Sequence, residues 1–211
     1  MTEVYLRRLS RWQAEQQRAA VADVHVTAYR GAAGAEYRDR QGFLDRFEQH
    51  VQRVGFDMMV ADAGRLVGCA YGFRVERTGE WWSDFRGELP TDIEELTASG
   101  RTFLLAELMV LPAHRRHGVA TLLGERLLAR LEADLVVAAV DLERRDDGGS
   151  KGGDAGGGDG EGGDSEGGDS GGRPANAAQE TVRAWGWSKL GLLAPHSPSA
   201  VREVWIRRPL R

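Results

Sequence analysis

The chain has 211 residues, 41% of them hydrophobic, enough for one buried core or at most two small ones. A single cysteine, Cys69, excludes an internal disulfide and points to a reducing compartment, so a cytoplasmic protein is expected. The formal charge of −4 is unevenly spread: residues 146–172 hold eight acids and one base, a net of −7, which leaves a mildly basic remainder of +3 with no Lys/Arg run of the kind a nucleic-acid backbone demands.

The first residues, "MTEVYLRRLSRW", lack the apolar stretch of a signal peptide. Residues 3–9 alternate and predict a strand, and 10–29 predict one helix carrying Trp12, Ala19, Val21, Val24, Val26 and Tyr29 loosely on one side. A second helix is predicted at 41–55, with Phe43, Leu44, Phe47, Val51 and Val54 at helical spacing and Gly55 as its stop. Strands near 56–62 and 66–76 flank a turn at Ala63-Gly64-Arg65. Residues 78–101 read as a loop with a short helix near 92–98, followed by a strand at 102–111. A helix at 117–134 would bury Val119, Leu122, Leu123, Leu127 and Leu131, and 134–142 predicts a buried strand. No apolar run reaches the ~20 residues of a membrane span. After the glycine-rich tract, "ANAAQETVRAW" predicts a helix ending at Gly186, then two strands from "WSKLGLL" and "VREVWIRRP". Strands mixed with helices imply an α/β fold around one sheet. The piece after residue 173 is too small for a core of its own.

Chemistry concentrates in "AELMVLPAHRRHGVATLLGERLLARL", Ala106 to Leu131. A buried strand stops at Pro112, basic residues His114, Arg115, Arg116 and His117 follow, and Gly118 opens an amphipathic helix. A helix N-terminus offers unpaired N–H groups and the positive end of its dipole to an anion. Gly118 lets a ligand approach the backbone, and Ala120 keeps the first turn unobstructed. The alternative is an ordinary strand-to-helix turn with solvated arginines.

Val110-x-Pro112-x-x-Arg115-x-x-Gly118-x-Ala120 resembles the acetyl-CoA signature of the GNAT acetyltransferase superfamily, and the element order outside the tract resembles that family's plan. The resemblance implies a mixed, mostly antiparallel sheet of six to seven strands flanked by about four helices. It implies one domain over 1–211, interrupted by a flexible insertion at about 146–173. The implied function is transfer of the acetyl group of acetyl-CoA to a primary amine, small-molecule or peptide, by direct attack. Residues Arg115, Arg116, His117, Gly118, Val119, Ala120 and Thr121 would hold the coenzyme A diphosphate. The strand edge at Met109, Val110 and Leu111 would pair with the pantetheine arm, where the strand splays from its neighbour. Glu107 is the candidate general base, with an ion pair to a neighbouring arginine as the alternative. Val182 occupies the position where many relatives carry a tyrosine as general acid, so Ser188, Tyr71 or a water would have to serve. That departure motivates a second reading, a catalytically weak acyl-CoA-binding module with a sensing role.

Trp81 and Trp82 either line the acceptor pocket or anchor their loop on the core. Trp185, Trp187 and Trp205 read as packing, and Cys69 as a small buried residue. His25, His50, His114 and His117 lack ligand spacing, so no metal is expected. Gly158-x-Gly160-x-x-Gly163 spells a dinucleotide fingerprint, but no strand precedes it closely and Asp159 and Glu161 would repel a pyrophosphate. A homodimer through the last strands is compatible with this reading.

Overall fold

The computed structural model describes residues 3–29, 39–141, 174–194 and 201–208; the insertion expected at 146–173 lies outside them. Seven strands form one sheet: β1 Tyr5–Leu9, β2 Asp57–Asp62, β3 Leu66–Arg74, β4 Thr102–Val110, β5 Leu135–Asp141, β6 Ser188–Leu193 and β7 Arg202–Arg207. Their spatial order is β1-β2-β3-β4-β5-β7-β6. Every pairing is antiparallel except β4 with β5. A parallel pair needs a crossover connection, and α5, Val119–Leu128, supplies it.

The two sheet faces are covered by different helices. On one face Gly68 sits under α5, where an added Cβ would lie 3.3 Å from Leu123 and 2.8 Å from the Met109 carbonyl. On the other, Tyr71 packs edge-on against Phe47 of α3, Arg40–Val51, with ring centres 5.2 Å apart. Helix α2, Arg18–Ala28, lies beside α3, and α4, Thr91–Ala98, buries Ile93 against Leu104 and Val137. Helix α6, Pro174–Ala184, joins α5's side: Trp185, just past its end, donates from Nε1 to Thr121 Oγ1 at 3.2 Å, and its ring fills the space above Gly124. Strand β7 inserts between β5 and β6, so chain from before residue 142 and chain from after residue 173 complete one sheet.

Three predicted helices depart from their bounds, and the one expected at 41–55 ends at Val51 and leaves Val54 exposed. The stretch expected as one helix over 10–29 is two, α1 Arg11–Gln16 and α2, with Gln17 as the joint. Ser10 and Gln13 close a capping box that starts α1. The break lets α1 pack on α3 and β1 while α2 crosses β3 and β4. This split and α4 bring the described α-helices to six, where about four were expected. Helix α5 ends at Leu128 because the following chain is drawn to β4: Asp134 N–H bonds the Arg101 carbonyl at 2.9 Å and Arg101 pairs with the Asp134 carboxylate. Leu122, expected on its buried stripe, is exposed.

Strand β4 carries the irregularity that matters most. Its register with β3 passes from Gly72↔Leu105 to Tyr71↔Glu107, so Ala106 is an extra residue, a β-bulge that bends the strand. Its pairing with β5 runs from Thr102↔Leu135 to Leu105↔Ala138 and stops there, although β4 continues to Val110 and β5 to Asp141. Beyond the bulge, the β5-facing edge of β4 has no strand partner among the described residues.

Candidate active site

The strand-to-helix turn after β4 has the backbone of an anion cradle. A 3-10 turn at Pro112–His114 is followed by Arg116 at φ 61° and Gly118 at φ 75°, both in the left-handed region. Such a φ at a non-glycine residue costs about 1–2 kcal/mol, so Arg116 holds a backbone position that the surrounding structure enforces. Gly118 caps α5 without a side-chain hydrogen bond, and no described atom lies within 4 Å of where a Cβ would project. A helix leaves its first N–H groups without intrahelical partners, and here they lie at the positive end of the helix dipole with no acidic residue in that turn to oppose an anion. Arg116, His117 and Gly118 are exposed, and Ala120 and Thr121 half-buried. This turn is the one at which the diphosphate cradle is expected.

Arg115 plays a different part from a ligand-facing cation. Its Nε donates to the Val110 carbonyl at 3.1 Å and its guanidinium also donates to the Ala28 carbonyl. It clamps the end of α2 to the end of β4. Met109, Val110 and Leu111 have buried side chains, the Leu111 N–H bonds the Val67 carbonyl and the Val110 carbonyl accepts from Arg115, so a ligand could meet only the backbone groups these bonds leave over.

On the opposite face, Glu107 follows the bulge, directly across from Tyr71. Tyr29, the residue after Ala28, donates its hydroxyl to Glu107 Oε2 at 3.4 Å. No cation lies within ion-pair distance of Glu107 among the described residues, so the alternative of an arginine ion pair is not realised. Burial pushes its carboxyl up to about 7, while Arg46 and the Tyr29 hydroxyl act in the opposite direction. Tyr71 is fully buried and its hydroxyl lies 3.3 Å from His50 Nδ1. Burial raises the Tyr29 and Tyr71 hydroxyls well above the ordinary tyrosine range, with the Glu107 charge acting the same way. Burial also lowers His50 to about 4, with Arg46 and Arg53 adding to it, so the imidazole is neutral near pH 7. A carboxyl poised near neutrality beside the splayed strand can take a proton from an incoming amine.

Other candidates fall elsewhere. Ser188 is exposed on the edge strand β6, three strands from β4, a separation of roughly 14 Å at the usual inter-strand spacing. Val182 is buried beside Trp187 and Trp205, in the core rather than the site. Trp82 is a core anchor, not a pocket wall: it is buried and its Nε1 donates to Thr97 Oγ1 at 3.1 Å. Trp81 is half-buried with its ring edge-on to Trp82. Cys69, Trp187 and Trp205 are buried as expected, and Trp185 is half-buried between α6 and α5. Tyr29 and Arg46 escaped sequence reading because each looks like an ordinary helix residue until α2 and α3 are folded onto β4.

A sequence model of the Acetyltransferase (GNAT) family matches residues 13–147. No curated protein matches the chain. Among solved structures, it is similar to an acetyltransferase from Thermus thermophilus, with 11% identity and a TM-score of 0.58 over 98% of this chain and 97% of that one. It is also similar to the PaiA N-acetyltransferase from Thermoplasma acidophilum in complex with coenzyme A, with 9% identity and a TM-score of 0.54 over 98% and 99%. A third likeness is to the NatC complex bound to Gag peptide and CoA, with 11% identity and a TM-score of 0.52 over 99% of each chain. At these identities the structures speak to the fold alone, and it is the match over 13–147, with the splayed β4 edge and the cradle that follows it, that identifies the chain as a member of the GNAT acetyltransferase family.

Proposed function

We propose that the protein transfers the acetyl group of acetyl-CoA to a primary amine by direct attack, with Glu107 as general base. The observation that carries this reading is the unpaired edge of β4 beyond Leu105, which ends at the cradle on one side and holds Glu107 on the other. Backbone groups of Met109 to Leu111 would pair with the pantetheine arm, and N–H groups from Arg116 to Thr121 would hold the diphosphate. In support, the β5-facing edge has no described strand partner and the space over Gly118 is open. Glu107 takes a proton as the amine nitrogen bonds the acetyl carbon. The C–S bond then breaks and the thiolate is protonated from solvent, since neither Val182 nor Ser188 reaches the site and burial makes the Tyr71 hydroxyl a poor proton donor. The PaiA and NatC likenesses support coenzyme A as the co-substrate and, for NatC, a peptide as one kind of acceptor.

Acetyl-CoA titration followed by thiol release over a panel of amines tests the proposal. Turnover on at least one amine is expected, and Glu107→Gln should lower kcat by about 100-fold or more while leaving acetyl-CoA affinity within about twofold. Tight binding with no turnover on any amine would favour the acyl-CoA-sensing reading that the buried Val182 suggests.

We also propose that residues 146–173 are an insertion into this single domain. Closure entropy grows only logarithmically with loop length, so a short Gly-Ser link in place of 148–172 should preserve the fold.

A further inference from the structure

Helix α3 presents Phe43, Arg46, Phe47 and His50 at i, i+3, i+4 and i+7, one face of the helix. That face meets the sheet: Phe43 and Phe47 are buried, and His50 reaches the Tyr71 hydroxyl. Arg46 is thus an arginine on an inward-facing stripe. It is half-buried, with its guanidinium carbon 5.9 Å from the centre of the Phe43 ring. Phe47 and His50 of the same stripe contact Tyr71, the residue across from Glu107, so Arg46 lies on the Glu107 side of the sheet, where its charge acts on Glu107, Tyr71, His25 and His50.

Neighbouring arginines have carboxylate partners: Arg40 pairs with Asp23, and Arg53 with Glu76. Arg46 makes no ion pair among the described residues, and the hydrogen bond to Glu107 comes from Tyr29 instead. A half-buried guanidinium with no ion-pair partner among the described residues carries a desolvation cost that a bound anion would offset. Its planar fork of N–H donors matches a carboxylate.

We infer that Arg46 binds a carboxylate carried by the acceptor, so that the preferred substrate is an amine bearing a carboxylate, oriented with its amino group toward Glu107. This rests on the reading of the Glu107 pocket as the acceptor side. A free amino acid and an acidic peptide share that chemistry.

Two matched pairs distinguish the sources: leucine against leucinamide, and a Glu-Ala-Ala amide against a Gln-Ala-Ala amide. Binding is measured by calorimetry on the CoA-loaded protein, and kcat/KM by thiol release from acetyl-CoA. The carboxylate member should be favoured at least about tenfold in one pair, and which pair names the source. Arg46→Gln should collapse that ratio toward one, and Arg46→Lys, which keeps the charge, should retain part of it. A ratio within twofold in both pairs, a ratio that survives Arg46→Gln, or no binding by any of the four compounds overturns the inference. Carboxylate-selective binding without turnover would uphold it and sink only the acetyl-transfer reading.

Discussion

The two sides of β4 are built in opposite ways. The cradle side is one contiguous stretch, Pro112 to Thr121, whose shape follows from local rules: a proline that ends a strand, two left-handed residues and a helix N-terminus. The Glu107 side is assembled from α2, α3, β3 and β4, which bring Tyr29, His50, Tyr71 and Glu107 together from distant parts of the sequence. A contiguous site survives as long as its own few residues do. An assembled site depends on the contacts that hold its elements together, and here Arg115 belongs to both, since it sits in the cradle and clamps α2 onto β4.

Three substitutions sharpen that contrast. Gly118→Val should strike the cradle alone. A left-handed β-branched residue is strained, and its side chain would project into the open space over the turn. Acetyl-CoA affinity in a titration should fall by about 30-fold or more, with the Tyr29–Glu107 contact intact. Arg115→Ala should strike the assembled side, because it removes two hydrogen bonds from a charged donor to Val110 and Ala28. A stability loss of about 1.5–3 kcal/mol in denaturant unfolding is expected, with kcat falling more than acetyl-CoA affinity. Equal losses in both would show that the two sides are not separable. Tyr29→Phe is the mildest. It removes a hydrogen bond that favours the Glu107 carboxylate, so the carboxyl should titrate at a higher pH and turnover at pH 7 should drop about two- to threefold.

What the sequence made legible follows the same division. The strand, proline, glycine and leucine-rich helix from Ala106 to Leu131 are local signals, and they located the strand-to-helix turn proposed as the cradle and the order of elements around it. Glu107 stood out because a carboxylate within an apolar strand is costly unless it has a use. The bulge at Ala106 left no mark, since an extra residue in a strand is defined by its partner's register. Arg115 looked like a phosphate-binding side chain because the Ala28 carbonyl it holds lies on a distant helix. The irregular segment left Trp82 open between pocket wall and loop anchor, and its bond to Thr97 of α4 favours the anchor. The joint at Gln17 and the early end of α5 likewise arise from tertiary contacts, to α3 and to Arg101, that no periodicity encodes.

The pH dependence of kcat/KM, measured with two acceptors whose amines differ in basicity, tests most directly that Glu107 is the base of this site. A base works only when deprotonated, so the rate should rise with pH and level off above the Glu107 pKa. That acid limb should lie near 7 with both acceptors, while any limb belonging to the amine moves with the amine, and Glu107→Gln should abolish the fixed limb. A fixed limb that persists in Glu107→Gln, or the absence of one near neutrality in the unaltered protein, would contradict the assignment.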